Sequence, residues 1–318
     1  MNLFNRRSVM AAVFVVLISI SVPICAAADQ TQPQYFNLTV VYTNDFHGYD
    51  PYALARKATI IKKIRAEAGN VLLVDAGDLY ARGPYHKQFY GEMEMAAYNA
   101  IGYDVWELGN NEFKGESELA ASDQKLYNLI NQAKFPTLCA NIKQANGEYL
   151  PGVKPYFVKQ IKGMRVGILG VSSMKVKKYS QGTNKIVEDP VAIEKGLLPE
   201  LQEQSDIQIL LSHAGLAEDV KSDMKLADSG LSLIVGADDH YVIERPIYRS
   251  GGIPIVQAGG ENNIFLGRID LKYENKNGKW VLKAFNGRLY PINDKVAIDS
   301  EIKQILDKYL AKVQKPAA

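Results

Sequence analysis

The chain has 318 residues, 47% hydrophobic and 23% charged, which is enough apolar sequence to bury a sizeable core. Its formal net charge is only +2 and its basic residues are scattered, which excludes a general electrostatic attraction to nucleic acid polymers. The densest basic cluster, Lys175, Lys177 and Lys178, is interpreted as part of a solvated loop, and residues 174–189 are predicted to be a mobile surface segment.

Residues 1–28 are predicted to be a signal peptide. A basic start at residues 5–7 is followed by an apolar stretch at 9–24 and by small residues at 26–28, which suit a signal peptidase. The apolar stretch is shorter than the ~18 residues that usually span a bilayer, so cleavage is favoured over a retained anchor. The protein is therefore expected to be exported to the periplasm or the medium, without membrane attachment after cleavage. Export would use the Sec route, although Arg6-Arg7 also fits a twin-arginine signal.

Strand and helix signals then alternate along the chain. In chain order, apolar runs predict strands at 38–42, 71–74, 104–108, 136–142, 156–160, 164–171, 207–211, 231–235, 255–257, 266–273 and 280–286. Helical spacing predicts helices at 52–68, 88–101, 116–133, 190–204, 219–227 and 301–313. In the first of these helices, Lys57, Lys62, Lys63 and Arg65 are expected to face outward. The alternation predicts an α/β fold with a largely parallel sheet, and the late hairpins add antiparallel pairing.

Five short polar motifs come directly after predicted strands. They are Asn44-Asp45-Phe46-His47-Gly48, Ala76-Gly77-Asp78, Gly109-Asn110-Asn111-Glu112-Phe113, Ser212-His213-Ala214-Gly215 and Gly236-Ala237-Asp238-Asp239-His240. Ligands in α/β sheets bind beyond the carboxyl ends of the strands, so we expect these motifs to meet at one edge.

The residue types in the motifs are those of a divalent-metal site. Asp45 and His47 are two residues apart at a strand end, a spacing that points both side chains to the same side. Further candidate ligands, in chain order, are Asp78, Asn110, His213 and His240. Each element alone is equally typical of a turn or a capped strand end, but order, strand context and residue types agree across the set.

These motifs and the sequence between them resemble a known family. The resemblance covers about residues 38–290 and includes Asn99-Ala100-Ile101-Gly102-Tyr103-Asp104 and Cys139-Ala140-Asn141-Ile142. The sequence resembles the metallophosphoesterase domain of the 5'-nucleotidase and 2',3'-cyclic phosphodiesterase family, within the calcineurin-like superfamily. The resemblance implies a four-layer α/β/β/α sandwich of two mixed sheets, formed by a single domain at 29–318 without the C-terminal nucleoside-binding domain of many members.

The resemblance also implies a dinuclear metal site and its reaction. The implied ligands are Asp45, His47 and His240 for one metal, Asp78 as the bridge, and Asn110, His213 and Asp238 for the other. The two ions would be Mn, Fe or Zn. A metal-activated hydroxide would attack the phosphorus of a small phosphorylated substrate, with nucleotides among the candidates.

Two motifs depart from the family pattern. The third motif normally reads Gly-Asn-His-Glu-Phe-Asp, but Asn111 and Lys114 replace its histidine and its final aspartate. Asn111 therefore marks a degenerate acid position, and losing a general acid typically costs ~10²–10⁴ in rate. Lys114 is expected to point to solvent. Asp238 stands where the family has a histidine, which shifts the metal preference toward harder ions.

Two hypotheses follow for the function. The first is an exported dinuclear phosphoesterase with an altered acid dyad. The alternative is a non-catalytic pseudoenzyme of the same fold that binds metal or phosphate, because both members of the dyad are absent together. The enzyme is favoured, since loss of catalysis usually relaxes the metal ligands as well, and here most of them remain.

Overall fold

The computed structural model describes residues 34–114, 119–179, 185–261 and 265–313. The predicted signal peptide at 1–28 lies outside these residues. None of the helices within the described ranges combines the length and the hydropathy needed to cross a bilayer.

Fourteen strands and eight α-helices make up the described part of the chain. The strands are β1 (Tyr35–Thr43), β2 (Val71–Asp75), β3 (Val105–Glu107), β4 (Thr137–Leu138), β5 (Ile142–Gln144), β6 (Val153–Lys154), β7 (Tyr156–Ile161), β8 (Met164–Val171), β9 (Lys185–Val187), β10 (Ile207–Ser212), β11 (Leu231–Gly236), β12 (Ile255–Val256), β13 (Phe265–Lys276) and β14 (Lys279–Pro291). The helices are α1 (Pro51–Glu67), α2 (His86–Phe89), α3 (Glu92–Ile101), α4 (Leu119–Gln132), α5 (Val176–Tyr179), α6 (Pro190–Gln204), α7 (Leu216–Lys225) and α8 (Ser300–Val313), with a 3₁₀ turn at Asn111–Phe113.

The strands form two large mixed sheets. The seven-stranded sheet has the order β14-β13-β1-β2-β3-β4-β6, in which the five strands from β1 to β6 run parallel while β13 and β14 are antiparallel. The five-stranded sheet has the order β12-β11-β10-β8-β7, with only β7 antiparallel to its neighbour. A small third sheet pairs β5 with β9.

Alternating apolar side chains place each sheet between two cores, because successive residues of a strand point to opposite faces. Val40 of β1 and Ile209 of β10 belong to the core between the sheets. Their neighbours face outward: Val41 packs in the core under α1, α3 and α8, and Leu210 packs under α6. Two helical layers therefore enclose two sheets, which confirms the predicted α/β/β/α sandwich.

The two longest covering helices begin at matching sequence signals. The Asp50 carboxylate accepts the Tyr52 backbone N–H at 3.0 Å before α1, and the Asp189 carboxylate accepts the Ala192 N–H at 2.8 Å before α6. A proline occupies the first position of each helix. Such caps contribute about 1 kcal/mol each. They fix where the chain leaves the sheet and enters the helical layer.

Lys57 is buried rather than outward-facing as predicted, with only 1% of its surface exposed. Its ammonium lies 5.3 Å from the centroid of the Phe46 ring. Burial lowers the pKa of Lys57 to about 8, and the nearby Asp75 carboxylate opposes that shift. The prediction was wrong because position 57 falls on the apolar stripe that contains Ala53 and Ile61.

Three predicted segments also differ in their extent. The helix predicted at 88–101 is two helices, because Tyr90 and Gly91 have positive φ angles of 47° and 87° and interrupt it. The strand predicted at 136–142 consists of the short β4 and the start of β5. The segment 174–189 contains α5 and β9, while residues 180–184 lie outside the described ranges.

Candidate metal centre

The five polar motifs converge at the carboxyl ends of β1, β2, β3, β10 and β11, as the strand order predicts. We use the term candidate metal centre for seven residues from these motifs: Asp45, His47, Asp78, Asn110, His213, Asp238 and His240. Five of the seven are buried, and Asp238 and His240 are half-buried, with side chains 5% and 23% exposed. The first four residues follow strands of the seven-stranded sheet and the last three follow strands of the five-stranded sheet.

Asp45, His47 and His240 form the first group. His240 Nε2 lies 3.3 Å from Asp45 Oδ1 and 3.2 Å from His47 Nε2. One potential ligand atom from each of the three residues lies within 4.8 Å of the other two. Burial lowers the pKa of His47, against the opposing effect of Asp78 and Asp45. Two imidazoles and a carboxylate directed at one point are a ligand set for a divalent transition metal.

Asp78 and His213 join Asp45 in the second group. His213 Nε2 lies 3.2 Å from Asp78 Oδ2 and 3.8 Å from Asp45 Oδ1. His213 Nδ1 is 2.7 Å from the Ala76 carbonyl oxygen, which only accepts, so Nδ1 carries the proton and donates it there. In the neutral imidazole Nε2 carries a lone pair directed at the carboxylates, and in the protonated form it donates to Asp78 Oδ2 instead. A histidine held by its other nitrogen on a carbonyl is the arrangement that orients metal ligands.

The same contacts shift the ionisation of both partners. Burial lowers the pKa of His213, but the charge and hydrogen bonding of Asp78 outweigh it and hold this pKa well above its usual value. Burial raises the pKa of Asp78, but His213 and His47 outweigh it, so this carboxyl group stays ionised far into acid. Asp78 therefore offers a full negative charge between the two groups.

Asp238 and Asn110 complete the side of the centre near His213. Asp238 Oδ1 lies 3.9 Å from His213 Nε2. The Asn110 amide donates to this oxygen at 2.8 Å when its NH₂ group faces Asp238, the orientation that satisfies both side chains. The Lys175 ammonium also lies 2.8 Å from Asp238 Oδ1, so this lysine, which is exposed as expected of a solvated loop, contacts the rim of the centre as well.

Backbone strain is concentrated at these ligands. Positive φ angles occur at Asp45 (49°), His47 (55°), Asp78 (59°), Asp238 (77°) and His240 (59°). This region costs a non-glycine residue about 1–2 kcal/mol and persists only where the surroundings impose it. The left-handed turns after three different strands aim the side chains at a common point, which is typical of a functional site.

Glycines bring the second and third motifs into contact. A Cβ atom at Gly109 would lie 2.2 Å from Asp78 Oδ1, and one at Gly77 would lie 2.7 Å from His213 Nδ1. Only glycine permits these approaches. Asp78 and His213 can therefore approach the neighbouring motifs this closely only because positions 77 and 109 are glycines.

Sequence reasoning missed two buried residues that hold the motifs together. The Glu112 carboxylate accepts the backbone N–H groups of Asp78, Leu79 and Gly109 at 2.7–3.0 Å. Burial, with the charge of Asp78, raises the pKa of Glu112 to about 8. Asn44 donates to Asp45 Oδ2 at 2.7 Å and accepts from the Ala258 N–H at 2.8 Å. The only sequence signal for this role was that each residue lies inside a motif, close to a candidate ligand.

Asn111 is buried and directed at Asp78. Its backbone N–H donates to Asp78 Oδ1 at 2.8 Å and its side-chain amide donates to Asp78 Oδ2 at 2.5 Å. Asn111 therefore orients a ligand carboxylate. Lys114 is exposed, as expected, and its ammonium lies 5.5 Å from the centroid of the Tyr179 ring.

A second charged residue lies at the rim near His240. Arg82 forms an ion pair with Glu261, and Glu261 Oε1 is 3.8 Å from His240 Nδ1. Arg82 is exposed and its charge acts on His47 and His240. The opening of the centre is thus flanked by a guanidinium on one side and by the Lys175 ammonium on the other.

The residues present fit divalent cations. Three carboxylates, three imidazoles and one amide converge, and the lone pair of His213 Nε2 faces the same space. Carboxylates packed this closely repel one another unless a cation neutralises them. Mixed nitrogen and oxygen donors suit Mn, Fe and Zn.

Comparisons with known proteins agree with this geometry. The chain is 26% identical over 311 residues to the trifunctional nucleotide phosphoesterase protein YfkN of Bacillus subtilis, covering 88% of this chain and 21% of YfkN. It is 29% identical over 312 residues to protein UshA of Escherichia coli, covering 85% of this chain and 54% of UshA. The chain therefore corresponds to about half of UshA and to a smaller part of YfkN.

Solved structures share the fold. A 5'-nucleotidase precursor from Thermus thermophilus has a TM-score of 0.74 at 25% identity, covering 87% of this chain and 59% of that one. The calcineurin-like phosphoesterase YfkN from Bacillus subtilis has a TM-score of 0.72 at 24% identity, covering 89% of this chain and 100% of that one. The sequence model of the calcineurin-like phosphoesterases matches residues 38–242, more than half of the chain. The resemblance inferred from the motifs is thereby confirmed, and the chain belongs to the calcineurin-like phosphoesterase family.

Proposed function

We propose that this protein is an exported, dinuclear metal-dependent phosphoesterase that hydrolyses small phosphate esters, nucleotides among them. The observation that carries the proposal is the convergence of seven candidate ligands, with His213 Nε2 directed at Asp78 and Asp45. The relatives support the substrate class, since YfkN is named a nucleotide phosphoesterase and others 5'-nucleotidases. Export rests on the signal-peptide pattern at 1–28, and residues 29–318 are proposed to form one metallophosphoesterase domain.

The first proposed ligand set matches the first geometric group, and the second set adds two neighbours to residues of the second group. Asp45, His47 and His240 would hold one divalent cation, Asn110, His213 and Asp238 would hold the other, and Asp78 would contribute to both. Such ions supply Lewis acidity toward a phosphoryl oxygen and lower the pKa of a water molecule.

The chain's own residues set the orientation of the reacting groups. Asn111 and Glu112 fix Asp78 through hydrogen bonds to its carboxylate and to its backbone N–H. The Ala76 carbonyl keeps the proton of His213 on Nδ1. The side chain at position 111 cannot protonate a leaving oxygen at neutral pH, because it is an amide. Esters whose leaving groups have a low pKa, such as aryl phosphates and anhydrides, should therefore react best.

The direct test is hydrolysis of an aryl phosphate by the purified mature protein with added Mn²⁺. We expect Asp78→Asn to lose at least ~10² in rate, because the bridging charge is removed. The matched control is Asp228→Asn, which removes the same charge from an exposed position. Equal rates for the wild type and Asp78→Asn would contradict the proposal.

A binding function without turnover is the second candidate. It is favoured by one specific observation, the replacement of the family's histidine and aspartate by Asn111 and Lys114 with the Asn111 amide engaged on Asp78. Stoichiometric Mn²⁺ binding without hydrolysis across alkyl, aryl and anhydride phosphates would establish it. Hydrolysis that disappears in Asp78→Asn would exclude it.

A further inference from the structure

The Lys175–Asp238 ion pair lies inside the region proposed for the second cation. Lys175 Nζ is 2.8 Å from Asp238 Oδ1, and this is the same oxygen that faces His213 Nε2 at 3.9 Å and the Asn110 amide at 2.8 Å. The ammonium therefore shares its carboxylate oxygen with two other candidate ligands. Two cations cannot both occupy the direct contact distance of one oxygen without strong mutual repulsion.

The ion pair is built into the fold rather than formed by two free surface chains. The Asp238 side chain is only 5% exposed, and its second oxygen, Oδ2, lies 3.4 Å from the Ser173 hydroxyl. The Lys175 backbone N–H in turn donates to the Ser173 hydroxyl at 3.3 Å. Ser173 thus holds the start of the lysine-bearing segment against Asp238. Lys177 and Lys178, in the same segment, are exposed.

Charge balance points the same way. The centre contains the three carboxylates Asp45, Asp78 and Asp238, and one divalent cation together with one ammonium neutralises them. A second divalent cation would leave an excess of two positive charges with Lys175 in place, and of one with Lys175 displaced, so binding of the second ion favours release of the ammonium. The first group, with two imidazoles and Asp45, has no lysine in contact among the described residues.

We propose that Lys175 is the centre's own occupant of the second cation position, so that one divalent ion binds tightly and a second must displace the ammonium from Asp238. This inference rests on the proposed metal site and adds a specific residue to it. With one metal bound, Lys175 supplies the second positive charge beside an incoming phosphoryl group. Because its side chain is 47% exposed, it can swing out when a second ion takes the Asp238 oxygen.

The experiment is a Mn²⁺ titration of the metal-free full-length mature protein, followed by electron paramagnetic resonance, which separates free ions, single bound ions and coupled pairs. We expect the wild type to bind one Mn²⁺ tightly and a second at least ~10-fold more weakly. Lys175→Met should tighten the second site by ~10-fold or more and give the coupled-pair signal near two equivalents. Lys175→Arg keeps the cation and should resemble the wild type.

Lys178→Met is the matched control, because it removes the same charge from an exposed neighbour in the same segment. It should bind like the wild type. As a second route, Asp238→His removes the carboxylate that holds Lys175 and should also tighten the second site. Equal second-site affinities in the wild type and Lys175→Met would overturn the inference alone. Absence of any Mn²⁺ binding by the wild type would overturn the proposed function together with it.

Discussion

At the scale of single residues, Asn111 shows how one substitution redirects a side chain. An imidazole at position 111 next to an aspartate at 114 is a proton donor with an orienting partner. The amide of Asn111 instead reaches the Asp78 carboxylate at 2.5 Å, and its own oxygen has no hydrogen-bond partner among the described residues. Asn111 therefore holds a candidate ligand in place, and its amide cannot donate a proton as an imidazole would.

Restoring both members of the dyad should therefore recover rate selectively. For the double variant Asn111→His, Lys114→Asp we expect hydrolysis of an alkyl phosphate to rise by ~10² or more, and that of an aryl phosphate to rise less. The reason is that only the poorer leaving group needs a proton. Steady-state kinetics on the matched substrate pair measure the difference. Asn111→Ala is the control, and equal gains on both substrates would contradict a missing acid.

At the scale of elements, the contact between helices α6 and α7 contains a buried acid that is not part of the candidate metal centre. Glu194 of α6 is 1% exposed and accepts a hydrogen bond of 2.5 Å from the Ser222 hydroxyl of α7. Burial raises the pKa of Glu194 from 4.5 to about 8, although Ser222 acts in the opposite direction. The folded protein therefore keeps this group protonated at neutral pH, while the unfolded chain ionises it.

The sign of the resulting pH dependence follows from that difference. Between pH 4.5 and pH 8 the folded state binds more protons at Glu194, so its contribution to the unfolding free energy falls as the pH rises, by about 1.4 kcal/mol per pH unit. Glu194→Gln keeps an acceptor for Ser222 and removes the titration. We expect urea unfolding to show similar stabilities near pH 4.5 and a growing advantage of the variant toward pH 8. Glu203→Gln on the exposed face of α6 is the control, and parallel pH profiles for the wild type and Glu194→Gln would refute the explanation.

Several elements were predictable because their signals are local. The runs that became β1, β8 and β10 are β-branched and bounded by turns, and the cap at Asp189 with Pro190 fixed the start of α6. Lys57 was misjudged because its charge was given more weight than its place on the apolar stripe of α1. The pairing of β5 with β9 joins segments some forty residues apart, and nothing within either run specifies the partner.

The residues of the candidate site likewise divide into those that the sequence could predict and those that it could not. The seven candidate ligands could be selected from the sequence because each sits in a motif directly after a strand, where the fold class places binding sites. Lys175 and Arg82 were not found, because their roles depend on contacts with Asp238 and Glu261 that lie far away in the sequence. Glu112 was inside a motif, but only its burial and its three backbone partners show that it fixes the loops.

At the scale of the whole molecule, cation binding should stabilise the folded state by mass action. At a free Mn²⁺ concentration of about 100 Kd, the expected gain is ~2.7 kcal/mol. For a domain of this size that corresponds to an increase in Tm of roughly 4–5 °C. Differential scanning calorimetry with and without Mn²⁺ measures the shift, and excess chelator should reverse it. Asp78→Asn should show a much smaller shift, whereas an unchanged Tm in the wild type would contradict cation binding at this centre.

The distribution of the ligands over two sheets has a consequence for how the protein matures. The first sheet supplies four candidate ligands by residue 110, but the last three come only from the second sheet, ending at His240. An N-terminal fragment that stops before residue 240 lacks part of the candidate set, so we expect cation binding at this centre to follow the docking of the two sheets. Metal loading would then be a late step that reports correct assembly. A nascent or clipped chain would differ from the finished protein by binding no cation at this centre.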